Sequence, residues 1–150
     1  IKEDINKMAE IKGDWDFGKV EEYLDQTKFP LRFSCITSKG YPTVYSLWYL
    51  YENGQIWCAV QYDSAIAKIL RANNRCGFEV GPNKSPYMGV RGKGNAKLVR
   101  EKGSIVLEKL IDRFLDNSNS DLRNWLMSRK DTEIAICIEP IWFYSWDYSQ

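Results

Sequence analysis

The stretch that decides the fold is Thr43–Tyr62, which reads TVYSLWYLYENGQIWCAVQY. Aromatic and β-branched residues fill both halves, as is typical of β-strands. Glu52-Asn53-Gly54 supplies the Asn-Gly pair of a tight hairpin turn. The sequence therefore predicts two strands, Thr43–Tyr51 and Gln55–Tyr62. The first is apolar on both faces, which indicates burial on both sides, for instance between a barrel interior and a partner subunit.

Five further stretches show the apolar alternation of strands. They are Arg32–Ser38, Arg75–Gly81, Tyr87–Arg100, Thr132–Glu139 and Ile141–Ser149. Lys39-Gly40-Tyr41-Pro42 predicts a turn before the hairpin, and Pro140 is expected to break the chain between the last two strands. With the hairpin, this predicts a mainly β chain of six or seven strands.

Apolar residues at helical spacing predict helices packed against these strands. Asp63 or Ser64 caps a short helix whose core face is Ile66, Ile69 and Leu70. Two further helices follow the long strand. Their expected inward residues are Val106, Leu107, Leu110, Ile111 and Phe114 in the first and, after a cap at Ser120, Leu122, Trp125 and Leu126 in the second. The pattern as a whole predicts an antiparallel barrel with helices packed outside it.

The N-terminal segment is expected to be helical. Ile5, Met8 and Ile11 or Lys12 share one helical face, and a second helix ends before Pro30. A chain of 150 residues has the size of one domain. We therefore predict a single domain over residues 1–150, in which 1–28 form the helical segment and 29–150 the barrel with its inserted helices.

Composition excludes several classes of function. Hydrophobic residues make up 44% and charged residues 27%, which excludes disordered and low-complexity chains. The chain has 21 basic and 20 acidic residues, so no global field draws it to DNA or to an anionic membrane. It has no histidine, which excludes Ser-His-Asp and Cys-His catalysis, histidine-bound zinc and haem on a histidine ligand.

The cysteines indicate a reducing environment. Cys35, Cys58, Cys76 and Cys137 form no Cys-x-x-Cys pair, and they lie in or near apolar runs. This is typical of small buried hydrophobic residues. A metal site would need all four thiolates to converge, and we predict no metal. No signal peptide or membrane span is visible, so the expected location is cytoplasmic.

One candidate anion site lies where the hairpin leads into the helix at Ser64. A helix N-terminus offers free N–H groups, and Lys68 lies one turn further on the same side. The alternative is a capped helix with a solvated lysine. Asp63 counts against a phosphate because it adds a like charge.

The strand over residues 87–100 is a second candidate. Arg91, Lys93 and Lys97 share one face, and small residues fill the other. This face is either a solvated basic surface, a contact for phosphate or flavin through Arg91, or a weak site for single-stranded nucleic acid.

The last strand places four aromatic residues on one face. They are Trp142, Tyr144, Trp146 and Tyr148. Such a stripe forms either a core or dimer interface or a cofactor site. The carboxylates are scattered, and no acid–base pair stands out.

Several motifs, taken in order, resemble those of one family. They are Phe29-Pro30-Leu31, Lys39-Gly40-Tyr41-Pro42, Tyr45-Ser46-Leu47-Trp48-Tyr49, Glu52-Asn53-Gly54, Ile56-Trp57-Cys58-Ala59, the stretch from Ser64 to Val80, and Pro86-Tyr87-Met88-Gly89-Val90-Arg91-Gly92-Lys93-Gly94. Their order and spacing over roughly residues 27–148 resemble the pyridoxamine 5'-phosphate oxidase-like, FMN-binding split-barrel superfamily. No single motif is decisive.

The resemblance implies a homodimer of split barrels with two FMN sites at the subunit interface. The residues it implies at the cofactor are Tyr45, Ser46, Leu47, Cys58, Ala59, Ser64, Lys68, Gly89, Arg91 and Trp146. The first three would line the isoalloxazine, and the next two would flank it. The serine and the lysine would hold the phosphate. Gly89 and Arg91 would approach from the neighbouring strand or the partner subunit, and Trp146 would close the site.

The chain also departs from the oxidase itself. It has Tyr45 where the oxidase usually has arginine, and Ala65 and Ile66 near the place of an Arg-Lys pair. It lacks the histidine of the substrate region. The resemblance therefore implies a flavin-dependent oxidoreductase acting on an unknown small molecule, not the oxidase. A deazaflavin is the alternative ligand, and a non-catalytic barrel that binds single-stranded nucleic acid or a protein is the alternative class.

Overall fold

Eight strands and four α-helices follow one another in residues 9–149, the part of the chain that this computed structural model describes. The strands are β1 Glu10–Gly13, β2 Leu31–Ile36, β3 Pro42–Leu47, β4 Leu50–Glu52, β5 Gln55–Gln61, β6 Arg75–Val80, β7 Met88–Val99 and β8 Glu133–Asp147. The helices are α1 Phe17–Gln26, α2 Ala65–Ala72, α3 Gly103–Phe114 and α4 Ser120–Met127. Short 3-10 turns cover Arg100–Lys102, Asn117–Asn119 and Lys130–Thr132.

Seven strands form one antiparallel sheet in the order β3-β2-β6-β7-β8-β5-β4. Its two edges, β3 and β4, are consecutive in the chain, so the sheet curls until its edges face each other across a split. The predicted antiparallel split barrel with peripheral helices is confirmed. The split is the feature that positions the candidate site.

The barrel core fills the inside of this sheet. Its largest fully buried residues are Leu24, Leu31, Phe33, Tyr49, Ile56, Ile136, Ile138 and Phe143. A second cluster, of Leu50, Trp57, Val106, Leu110, Ala135 and Cys137, lies between α3 and the outer face of β4, β5 and β8. Strand β5 and the first part of β8, residues 133–138, are therefore largely buried on both faces.

All four cysteines are unpaired and buried, as predicted. Burial raises the pKa of the Cys76 thiol to about 12 and that of Cys137 to about 11. A thiol with such a pKa stays protonated at neutral pH and behaves as a small hydrophobic group.

The single strand predicted over Thr43–Tyr51 is wrong, because the chain turns a corner between β3 and β4. Tyr49 lies in this corner with no exposed surface, and its hydroxyl donates to the carbonyl oxygen of Leu24 at 2.7 Å. That bond ties the corner to the end of α1. Within this chain one face of β3 is open, since Val44 is 65% exposed.

The helix predicted at the N-terminus is wrong where the structure describes it. Ile5 and Met8 lie outside the described residues, but Glu10–Gly13 forms β1, which pairs in parallel with β8. Gly13 ends β1 with a φ of +96°, and a side chain there would meet the carbonyl oxygen of Ser145. The second predicted helix is confirmed as α1, whose first turn Asp16 caps.

Two further expectations about the C-terminal half are wrong. Pro140 does not break the chain into two strands, because the register with β7 shifts between Lys93 and Gly94 and this irregularity accommodates the proline. Helix α4 does not bury its apolar residues. Leu122 is 41% and Trp125 54% exposed, and no residue of α4 is buried.

Candidate functional site

The main cavity lies in the split of the barrel and has a volume of about 600 Å³. We call it the split pocket. Its lining comes from the ends of β3 and β5, the turn before α2, helices α3 and α4, and the start of β8. The lining residues are Ser46, Leu47, Trp48, Ala59, Val60, Gln61, Asp63, Ser64, Leu107, Leu110, Leu122, Leu126, Arg129 and Glu133.

Most of the lining is apolar. Leucines from three elements and the ring of Trp48 supply it, and Trp48 stacks on Phe114 with the ring planes 2° apart. Helix α4 contributes Leu122 and Leu126, so these two partly exposed leucines face the pocket. A cavity with broad apolar walls and a few polar groups suits a flat organic ligand better than a polar metabolite.

The polar groups of the pocket form a connected network. Gln61 donates through Nε2 to the carboxylate of Glu133 and to the carbonyl oxygen of Arg129, the latter at 3.2 Å. The hydroxyl of Thr132 donates to Gln61 Oε1 at 2.6 Å. Glu133 is only 8% exposed, and burial raises the pKa of its carboxyl group, against the opposing effects of Gln61 and Arg129. The pocket thus contains a buried carboxyl group held in a fixed orientation.

The start of α2 borders this network. Ser64 lines the pocket, and its hydroxyl accepts a hydrogen bond from the backbone N–H of Ala67 at 3.3 Å. The serine therefore caps its own helix, as the sequence predicts. Lys68 is exposed on α2 and is not part of the pocket lining.

A second, smaller groove of about 390 Å³ lies on the outer face of the sheet. It is lined by Glu79, Arg91, Tyr144, Trp146 and Tyr148. The guanidinium of Arg91 lies 4.7 Å from the centre of the Tyr144 ring, a cation–π distance. The predicted aromatic stripe thus lies on the open face of β8, while Phe143 and Ser145 between its members are buried.

Gly89 belongs to this groove through packing. It pairs with Trp146 across the sheet, and a methyl group at Gly89 would lie 2.6 Å from Cζ2 of that ring. The indole therefore lies directly on the backbone of β7. Glycine at this position is explained by the tryptophan.

The structure divides the residues implied by the family resemblance into three groups. Ser46, Leu47, Ala59 and Ser64 meet in the split pocket. Gly89, Arg91 and Trp146 lie at the outer groove. The other three are elsewhere in this chain: Tyr45 packs on the barrel core, Cys58 is fully buried in it, and Lys68 is exposed.

Sequence reasoning missed several pocket residues. Gln61, Arg129 and Glu133 belong to no motif, and their network joins the end of β5 to the start of β8. The leucines of α3 were assigned to the core stripe, with no sign that the same stripe also borders a cavity. Among residues 9–149, no helix is long and apolar enough to cross a membrane.

Comparison with known proteins identifies the fold. No family model and no curated protein matches the chain. Solved structures do match. A conserved hypothetical protein from Mycobacterium tuberculosis is 16% identical with a TM-score of 0.72, over 92% of this chain and 88% of that one. The fold is the pyridoxamine 5'-phosphate oxidase-like split barrel.

Two other split-barrel structures agree. An F420 reductase is 19% identical with a TM-score of 0.64, over 81% of this chain and 94% of that one. A candidate pyridoxamine 5'-phosphate oxidase from Listeria innocua is 15% identical with a TM-score of 0.59, over 85% and 95% of the two chains. At these identities the likeness extends to the fold.

Proposed function

We propose that this protein binds a flavin-type cofactor in the split pocket and acts as a flavin-dependent oxidoreductase on a small molecule. The observation that carries the proposal is that one cavity collects Ser46, Leu47, Ala59 and Ser64, four of the residues that the family resemblance implies at the cofactor. The names of two structural neighbours, an F420 reductase and a candidate pyridoxamine 5'-phosphate oxidase, support this class of ligand.

The residues of the pocket fit the ring of a flavin. The isoalloxazine is flat and apolar at one end, where the leucines and Trp48 offer matching walls. Its other end carries carbonyl and N–H groups, for which the backbone of β3 and β5 and the polar network offer partners. A bound flavin would supply hydride or electron transfer, and the side chains of the pocket would hold the ring and exclude water from it.

The same residues fit the phosphate of FMN less well. The hydroxyl of Ser64 already caps α2, and Lys68 lies outside the pocket. Among the described lining residues Arg129 is the only cation, and its charge acts on the carboxyl group of Glu133. FMN is the form that the resemblance implies, with a deazaflavin as the alternative, but this chain by itself offers no cationic cradle for a phosphate.

A homodimer is part of the proposal. In one chain Arg91 and Trp146 line the outer groove and not the split pocket. A flavin ring in the split pocket would therefore contact these two residues only if a second copy of the chain supplied them. Exposed apolar residues at edge strand β3 and the turn before it support such pairing, since Tyr41 is 72% and Val44 65% exposed. The unpaired cysteines support a cytoplasmic location.

One observation favours a second candidate function. Arg91 and Lys93 lie over the rings of Trp142 and Tyr144 on an open sheet face. Basic groups interleaved with aromatic rings are the elements of a platform for single-stranded nucleic acid. This candidate predicts binding of oligonucleotides that weakens steeply with salt, and no bound chromophore.

The visible absorbance spectrum distinguishes the two functions. The protein is equilibrated with FMN or riboflavin, desalted, and scanned beside a sample without flavin. The flavin proposal expects a flavin band that stays with the protein. A colourless protein that binds neither flavin but binds an oligonucleotide would support the nucleic-acid function instead.

A further inference from the structure

The polar end of the split pocket carries more negative than positive groups. Glu133 and Asp63 line it, and Arg129 is the only cation among its described lining residues. The guanidinium of Arg129 lies 4.3 Å from the centre of the Trp125 ring, and its charge acts on Glu133. Within one chain, a ligand group that enters here meets two carboxyl groups for one guanidinium.

The carboxyl group of Glu133 is held as a hydrogen-bond acceptor. If the Gln61 amide were turned over, its oxygen would lie against two acceptors, the carbonyl oxygen of Arg129 and the carboxylate of Glu133. Gln61 therefore presents its NH₂ group to Glu133. Because Glu133 is 8% exposed, a ligand atom that reaches it must replace water with a good hydrogen bond. Toward the ionised carboxylate of Glu133, that atom has to be a donor.

A phosphate group suits neither the negative charge of the pocket nor the acceptor at Glu133. It is an acceptor and carries between one and two negative charges at neutral pH. Two like charges repel strongly where the effective dielectric constant is low. The N-terminus of α2 offsets this only in part, because the Ser64 hydroxyl is engaged and Lys68 is outside the pocket. A hydroxyl group or a ring N–H, by contrast, donates to Glu133 without adding charge.

We propose that the split pocket selects a flavin without a phosphate, of the riboflavin type, over FMN, because Glu133 accepts a hydrogen bond from a hydroxyl or ring N–H group of the ligand. Gln61 is then a positioning residue for this carboxylate. This inference rests on the proposed function, and it restricts the expected ligand to flavins that carry no phosphate group.

The test compares the dissociation constants of riboflavin and FMN for three proteins by quenching of flavin fluorescence. The wild type is expected to bind riboflavin at least about tenfold more tightly than FMN. Glu133→Gln is expected to reduce that ratio to about threefold or less, because it weakens riboflavin and strengthens FMN. Glu139→Gln is the matched control, since Glu139 is exposed on the same strand and outside the pocket, and it leaves the ratio unchanged.

Each result decides between the proposals. If no protein binds either flavin, both the proposed function and this inference are overturned. If the wild type prefers FMN, or if Glu133→Gln leaves the ratio unchanged, only the inference is overturned. Asp63→Asn, on an exposed residue of the lining, provides a second variant should Glu133→Gln fail to fold. It is expected to tighten FMN binding about threefold, and no change in FMN binding would count against the inference.

Discussion

A methyl group added to Gly89 tests how the outer groove is built. In Gly89→Ala the new methyl would lie 2.6 Å from Cζ2 of Trp146 and 2.6 Å from the carbonyl oxygen of Val80. The carbonyl belongs to the neighbouring strand and cannot move alone, so the ring and both strands must shift. Overpacking of this kind costs about 1–3 kcal/mol. At about 2–4 °C per kcal/mol for a chain of this size, the expected fall in Tm is about 2–12 °C.

Urea unfolding followed by tryptophan fluorescence measures the loss in the free energy of unfolding. Gly18→Ala is the matched control, because its methyl would meet only Asp16 Oδ1, at an ordinary contact distance of 3.6 Å, and is expected to stabilise the protein by about 0.5–1 kcal/mol. The displaced indole of Trp146 is expected to shift the emission of the folded Gly89→Ala protein. If Gly89→Ala were as stable as the wild type within about 0.5 kcal/mol, the packing of Trp146 on β7 would be refuted.

Four further predictions follow from single contacts. Tyr49→Phe removes the hydroxyl that donates to Leu24, so urea unfolding should show a loss of about 1 kcal/mol, and an unchanged midpoint would contradict that role. Burial raises the pKa of Glu133, so the folded state favours the protonated carboxyl group. The contribution of this group to the free energy of unfolding is complete below the ordinary pKa of 4.5, and it is lost as pH rises through the pKa of the folded state. Glu133→Gln should therefore gain stability relative to the wild type as pH rises above 4.5, and a constant difference would contradict the raised pKa. Lys68→Ala should change riboflavin affinity less than about twofold, since Lys68 is exposed outside the pocket. A larger loss of affinity in a titration would show that Lys68 contacts the ligand. Light scattering should give the mass of a dimer for the wild type and of a monomer for Val44→Glu, whereas a monomeric wild type would exclude the proposed dimer.

The elements that the sequence predicted well are those with local causes. The hairpin between β4 and β5 follows from Asn53 and Gly54, which adopt φ values of +54° and +77° that this residue pair favours. Helix α2 follows from the Ser64 cap and its apolar stripe, in which Ile66 and Leu70 are buried. Each of these features depends on a few neighbouring residues, so a sequence pattern is enough to predict it.

The features that the sequence did not predict depend on distant parts of the chain. Strand β1 exists only because β8 offers it an edge, and four residues beginning at Glu10 carry no strand pattern of their own. The irregularity that accommodates Pro140 depends on the register of β7. The network at Glu133 joins residues about 70 positions apart in sequence, such as Gln61 and Thr132. The helix start at Ser64 and the resemblance to a family both indicated part of the pocket, but neither contained information on these polar residues.

The central claim is that a flavin ring lies between β3 and β5 in the split pocket. Its most direct test is a flavin titration of Ala59→Trp, in which an indole would occupy the cavity beside Ser46 and Leu47. Ala72→Trp is the control, on an exposed residue at the end of α2 outside the pocket. We expect the first variant to fold but to lose flavin binding by about a hundredfold, and the control to bind flavin as the wild type does. Undiminished flavin binding by folded Ala59→Trp would show that the ring lies elsewhere.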